Sequence, residues 1–577
     1  MSDFKKTDST AAAQFSVAAV FSDHMVLQRN KYTAVFGEAE DDSLIKAILY
    51  DNKGYTLAEN STIAKDGRWL LKLEPQSAQT GCKLDVTCGE RKSRTFSDIA
   101  FGEVWLAGGQ SNMEFELQNC TEGPAELADE EAGKNVRFYY TNKIGWKDQH
   151  FYEAERQTAW QTWESPARGA WSAVGYFFAK KLAQDLDCVV GVIGCNWGGT
   201  SASAWMRKEY LEADRNLNTY LTEYEEATRG KSIEQQCKEF DEYEIENAQW
   251  QEKFAKLWEE HSGVTWAEAE KVLGKNPWPG PKSCKNPYRP CGLYDCMISR
   301  ILPYTLKGVL WYQGESDDHK PASYYKLFRA MTDNWRNDWQ DDLLPFVCVQ
   351  LPVHRYEADP DYKHWCIVRE EQAKAAARIN NVWITSAFDL GQYSDIHPRA
   401  KKELAERMEN LARAKVYQLI PSLDASAPQF ESCMTVYDGD VADSESNCGK
   451  IVLTFANAPI GFEVHSDQVR LEEYKKMEEL QGNSVSEEFT GFEVCGDDGV
   501  WYPAEFALGG SDGKQNTIVL CSKKVSRPVA ARYGWYNYGP VTIYGKNGLP
   551  LCPFRTNANE AGSEKTDHAK IQQIMTV

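Results

Sequence analysis

No run in the chain approaches the roughly 18 consecutive apolar residues that a membrane-spanning helix needs. A helical membrane protein is therefore excluded as an expectation, and with it a membrane partner. The apolar stretch from Phe15 to Phe21 is broken by Ser16, and it lacks the apolar core of about 7–15 residues and the cleavage site of a secretory signal. The sequence thus reads as cytoplasmic; a secreted protein already trimmed of its signal reads the same way. Positive charge is in deficit. Against 85 Asp and Glu stand 64 Lys and Arg, a formal net charge of −21. That argues against nucleic acid or an anionic membrane surface as the main partner. The 16 cysteines contain no C-x-x-C pair, which removes the zinc-ribbon and thioredoxin-like readings. The one cluster, Cys284, Cys291 and Cys296, has no histidine close by, so no metal is expected. The cysteines are read as mostly reduced and buried.

What is present is ample apolar material. With 42% hydrophobic residues over 577 positions, disorder is excluded for most of the chain. At roughly 150 residues per domain the length implies three or four domains. The 19 Trp, 28 Tyr and 23 Phe serve large cores or sugar-stacking platforms, and composition leaves both open.

The texture changes along the chain. Residues 1–98 are expected to form an N-terminal β domain, with short alternating segments such as Thr33 to Gly37 and Ile45 to Tyr50 between Asp/Gly turns. From 99 to 420, short continuous apolar strands alternate with helical stretches. The strand candidates are Glu103 to Ala107, Val189 to Gly194, Gly308 to Tyr312, Pro345 to Gln350 and Val382 to Ala387. Helices are expected at Ala173 to Leu186, Tyr324 to Trp335, Glu370 to Ala377 and Lys401 to Ala414. That pattern means a parallel sheet with helices on both faces. A charged helical insertion, 207–283, interrupts it and turns proline-rich at Asn276 to Pro281. Its four tryptophans, Trp250, Trp258, Trp266 and Trp278, suit a lid, a partner surface or a substrate-shaping rim. Residues 421–556 return to β texture, and 557–577 read as a polar tail.

Four loops at expected strand ends carry chemistry. Gly108-Gly109-Gln110-Ser111-Asn112 places a serine just past a strand, where α/β proteins bind ligands. It departs from the G-x-S-x-G elbow because Met113 stands where the last glycine belongs. A helix N-cap serine is the bland alternative. Gly194 to Ser201 is glycine-rich but has no Lys before Thr200, so it is no phosphate loop. Its backbone N–H groups suit an oxyanion. Gln313 to Asp317 offers an amide after a strand. Ser394-Asp395-Ile396-His397-Pro398 offers a general base with a carboxylate two residues away. His24, His319, His354 and His364 are its rivals among nine histidines.

The order Ser, Gly loop, Gln/Glu loop, Asp-x-His resembles the SGNH hydrolases. The blocks FGEVWLAGGQSNME from Phe101, GVIGCNWGGTSASAWM from Gly191, GVLWYQGESD from Gly308 and DIHP from Asp395 resemble the sialate O-acetylesterase-like carbohydrate acetylesterases over about residues 16–556. The resemblance implies an SGNH-hydrolase (flavodoxin-like) three-layer α/β/α core flanked by two β-sandwich-like domains. It implies a bacterial serine O-acetylesterase that uses no cofactor. Ser111 would be the nucleophile, His397 the base and Asp395 its carboxylate partner. The Ser111 N–H, the Gly198 or Gly199 N–H and the Gln313 side chain would form the oxyanion hole, although SGNH relatives use Asn in that third place. Glu315 and Asp389 would support the loops. The expected substrate is an acetylated hemicellulose-derived oligosaccharide such as a xylo-oligosaccharide, with O-acetylated sialic acid as the alternative. A non-catalytic sugar-binding protein and a lipase or thioesterase are the remaining readings.

Overall fold

The computed structural model describes residues 14–90, 92–261, 264, 266–356, 359, 361–437, 449–486, 489–509 and 514–557. All but the first residue of the expected tail lies outside them. The organising element is one 18-residue strand, Lys92–Gly109 (β1). Its first part pairs antiparallel with Gln79–Cys88 in the N-terminal β region. From Ile99 onward every residue is buried, as a strand covered on both faces requires. The expected boundary between 98 and 99 falls inside this strand, at the point where the sheet passes from one covered face to two.

The second half of β1 lies in the middle of a parallel sheet. Its partners are Val190–Asn196 (β3) on one side and Gly308–Tyr312 (β4) on the other. Val136–Tyr140 (β2) adds to β3 at the edge, and Phe346–Gln350 (β5) and Val382–Ser386 (β6) continue beyond β4. The order is β2-β3-β1-β4-β5-β6, all parallel. Without the edge strand β2, the chain order reads 2-1-3-4-5, that of doubly wound sheets with one switch point beside the first strand. Ala173–Leu186 (α1) and Lys401–Lys415 (α4) pack on each other, as do Tyr324–Trp339 (α2) and His364–Arg378 (α3). Both α3 and α4 pack on β5 and β6.

Every expected core strand and helix is present, with ends shifted by a few residues. β2 was not expected. Its polar Arg137 sits among apolar residues because the guanidinium donates to the carbonyls of His24 and Asp98. The insertion is helical, at Lys208–Glu212, Asn218–Ala227, Ile233–Glu260 and Trp266–Leu273. The N-terminal sheets share one continuous apolar core with the parallel sheet. The C-terminal region, with strands from Gln429–Val436 to Phe554–Arg555, has its own core. It also contains the helix Gln468–Leu480, which a β texture did not announce. It docks on α3. There the buried Arg369 donates to the carbonyls of Tyr536 and Asn537, and Arg555 forks onto Glu370. The described cysteines are free thiols, most of them buried.

Candidate active site

All four loops leave the same edge of the sheet, because parallel strands end together. β1 turns sharply at Gly109, whose φ is +137° and whose missing Cβ would lie 2.1 Å from the Tyr312 carbonyl oxygen. The turn delivers Ser111 as the first residue of a short helix, Ser111–Glu114. Ser172, the N-cap of α1, secures that helix by donating to the Met113 carbonyl at 2.6 Å. The Ser111 N–H has no acceptor among the described residues.

Asn112, fully buried, joins this turn to two others. Its Nδ2 donates to Glu315 Oε1 at 2.7 Å and to the Ile396 carbonyl at 2.9 Å. Its Oδ1 accepts from Lys401 Nζ at 2.5 Å. The residue after the nucleophile candidate thus holds the residue before His397, so Ser111 and His397 each stand one residue from that bond. His397 is half-buried beside Phe115, with ring centroids 6.4 Å apart. Burial lowers its pKa and the nearby Lys401 ammonium lowers it further, while Asp395 and Glu114 oppose them. Among the described residues no hydrogen bond joins Ser111 Oγ to the His397 ring, nor that ring to the Asp395 carboxylate. Asp395 Oδ1 instead accepts the His397 backbone N–H at 2.9 Å, which shapes the loop.

Two of the expected oxyanion donors are otherwise engaged. The Gly198 N–H donates to Glu114 Oε2 at 2.6 Å, although Gly198 does lie against Ser111, its missing Cβ 3.2 Å from Ser111 Cβ. Gln313 is fully buried and gives its amide hydrogens to Asp317 Oδ2 at 2.7 Å and the Thr200 carbonyl at 3.1 Å, with Gln110 Oε1 at 3.3 Å. It bolts the β4 loop to the β3 loop. Asp317 completes that joint by accepting from Ser201 Oγ, Tyr220 OH and the Ala202 N–H. The Gly199 N–H has no acceptor among the described residues, so it and the Ser111 N–H are the donors left open. Burial raises the Glu315 carboxyl pKa, and its Oε2 has no hydrogen-bond partner among the described residues. Asp389 is held by both arms of Arg407 at 2.7 and 2.8 Å, on the side toward the C-terminal region.

The rival histidines have other settings. His24 pairs with Asp98 at 2.7 Å, and His319 packs on Tyr220. His364 lies 3.5 Å from Asp318, and His354 is buried with Nδ1 3.4 Å from the Gln392 carbonyl. The sequence does not mark Lys401 as a site residue. A lysine in the first turn of a helix works against the helix dipole, and that is the one signal it carries. Of the insertion's tryptophans, Trp250 is buried and Trp258 lies against Phe254, while the Trp266 side chain lies outside the described residues. Trp278 reaches the β3 loop: a Cβ on Gly199 would lie 3.3 Å from its ring.

Residues 281–414 match the family described as carbohydrate esterase, sialic acid-specific acetylesterase. That span includes Gln313, Glu315, Asp395 and His397; Ser111 precedes it. Sialate O-acetylesterase of Mus musculus is 25% identical over 444 residues, 71% of this chain and 75% of that protein. The Homo sapiens protein of the same name is 24% identical, over 71% of this chain and 72% of its own. Among solved structures, a carbohydrate acetylesterase from Xanthomonas citri superposes with a TM-score of 0.66 at 25% identity, covering 94% of this chain and 99% of that one.

Proposed function

As a chain related to the carbohydrate esterases of the sialate O-acetylesterase type, this protein is, we propose, a serine O-acetylesterase with an SGNH-type core. The observation that carries the reading is the Asn112 bridge, which ties the Ser111 turn to the His397 loop at the C-terminal edge of the sheet. Ser111 Oγ attacks the acetyl carbonyl while His397 takes its proton. The oxyanion that forms meets the Ser111 and Gly199 N–H groups. His397 returns the proton to the departing sugar oxygen, and water then repeats the sequence on the acetyl-enzyme. The lowered pKa of His397 keeps the ring neutral and able to accept at neutral pH. Asp395 and Glu114 favour the imidazolium that forms in the transition state.

The proposed substrate is an acetylated neutral oligosaccharide of the hemicellulose kind, because a net charge of −21 offers no long-range pull on an anionic sugar. The second reading, O-acetylated sialic acid, is favoured by the match of residues 281–414. Acetate release from acetylated xylo-oligosaccharide beside O-acetyl sialic acid separates the two. The expected result is the higher kcat/KM on the xylo-oligosaccharide. An ester series on one alcohol should show a steep fall beyond two acyl carbons; activity that rises with chain length would mean a lipase or thioesterase.

A further inference from the structure

The proline-rich end of the insertion presents one aromatic ring beside the nucleophile candidate. Trp278 is 41% exposed. Its indole Nε1 donates to Tyr288 OH at 2.8 Å, and the two rings meet edge to face with centroids 5.9 Å apart. Both rings close on Gly199. A Cβ there would lie 3.0 Å from Tyr288 and 3.3 Å from Trp278, and φ is +73°. The neighbouring residue, Gly198, touches Ser111. One residue of backbone therefore separates the Trp278 face from the nucleophile candidate.

The platform is held rigidly. Asn286, buried, donates to the carbonyls of Pro279 and Pro281 at 3.2 and 2.9 Å, and its Oδ1 accepts the Tyr288 N–H at 2.8 Å. The Trp278 N–H is taken by Asn276 Oδ1 at 3.0 Å. With its indole N–H tied to Tyr288, the ring has less rotamer freedom to lose on binding, which favours affinity. Burial, and then the Glu114 carboxylate, raise the Tyr288 pKa, so the phenol keeps a proton to donate.

A pyranose has an apolar C–H face and a hydroxyl rim. A flat indole with its N–H already satisfied suits the face, and the Tyr288 hydroxyl suits the rim. We propose that Trp278 and Tyr288 form a sugar subsite next to Ser111, holding the residue adjacent to the acetylated one, so that the enzyme takes oligosaccharides in preference to single sugars. This rests on the esterase reading above.

The test compares Trp278→Leu, which keeps apolar bulk against Gly199 but no flat face, with Trp278→Phe, which restores one. Each is assayed on an acetylated xylo-oligosaccharide of three or more residues, on acetylated xylose and on an aryl acetate. In the Leu variant the ratio of kcat/KM for oligosaccharide over aryl acetate is expected to fall about tenfold, through KM. The Phe variant should recover at least half of that ratio. A ratio unchanged in the Leu variant, or equally lost in both variants, overturns the proposal. Equal wild-type kcat/KM on the oligosaccharide and acetylated xylose also overturns it. Ser111→Ala separates this from the esterase reading. If that variant still cleaves the aryl acetate, the nucleophile assignment fails whatever Trp278 does.

Discussion

Replacing Lys401 with Met keeps the stem and removes the ammonium. Lys401 is 1% exposed, and its Nζ donates to Asn112 Oδ1 at 2.5 Å. The variant leaves that buried acceptor unpaired, at a cost of about 1–3 kcal/mol. Burial holds the Lys401 pKa down to about 7, against the opposing pull of Glu315 and Asp395. In the unfolded chain the group titrates at about 10.4. Between these values the unfolded state binds the extra proton, so the native lysine gains stability as pH rises through the window. At about 1.36 kcal/mol per pH unit, the whole span bounds that gain at ~5 kcal/mol, and water reaching the site reduces it. The Met variant has nothing to titrate here. The difference in unfolding free energy, native minus variant, should therefore climb from about pH 7 to about pH 10. Urea denaturation at a series of pH values measures it. The same variant tests the site. After burial, Lys401 is the strongest influence lowering the His397 pKa. Without it that pKa rises, and the acid limb of kcat/KM on an aryl acetate moves to higher pH. A stability difference flat across the window, or an acid limb that moves down, would refute the electrostatic reasoning.

Gln313→Ala should lower stability by about 2–4 kcal/mol, since it strips Asp317 and Thr200 of a buried donor and leaves a cavity. A fall in kcat with unfolding unchanged would return Gln313 to the oxyanion hole. Gly198→Ala places a methyl 3.2 Å from Ser111 Cβ, and aryl-acetate turnover should fall at least tenfold while the melting temperature holds. Wild-type turnover in that variant would mean that the Ser111 turn can move aside.

The core strands were legible because a strand buried on both faces reads as a short apolar run between turn residues, as Gly308–Tyr312 does. The helix α1 was legible in the same way, from its amphipathic period. What escaped was set by tertiary contact. β1 runs through two sheets, and a composition shift at Ile99 marks only the change from one covered face to two. Gln313 carries the right group for an oxyanion, but Asp317 and Thr200 decide where its hydrogens point. Gly198 and Gly199 are alike in sequence, and Glu114, folded back from the Ser111–Glu114 helix, distinguishes their N–H groups. Lys401 lies in a charged stretch, Lys401-Lys402-Glu403, that gives no sign of burial in the sequence. Its burial follows from Asn112 and Glu315, which arrive from two other loops.

The proposed esterase chemistry rests on Ser111 as its nucleophile. A fluorophosphonate that traps activated serines, followed by peptide mass mapping, tests it directly. One adduct is expected, on the peptide containing Ser111, forming in step with loss of esterase activity. In Ser111→Ala the adduct should vanish and aryl-acetate hydrolysis should drop by on the order of a thousandfold or more. An adduct on another serine, or near-normal hydrolysis by Ser111→Ala, would contradict it.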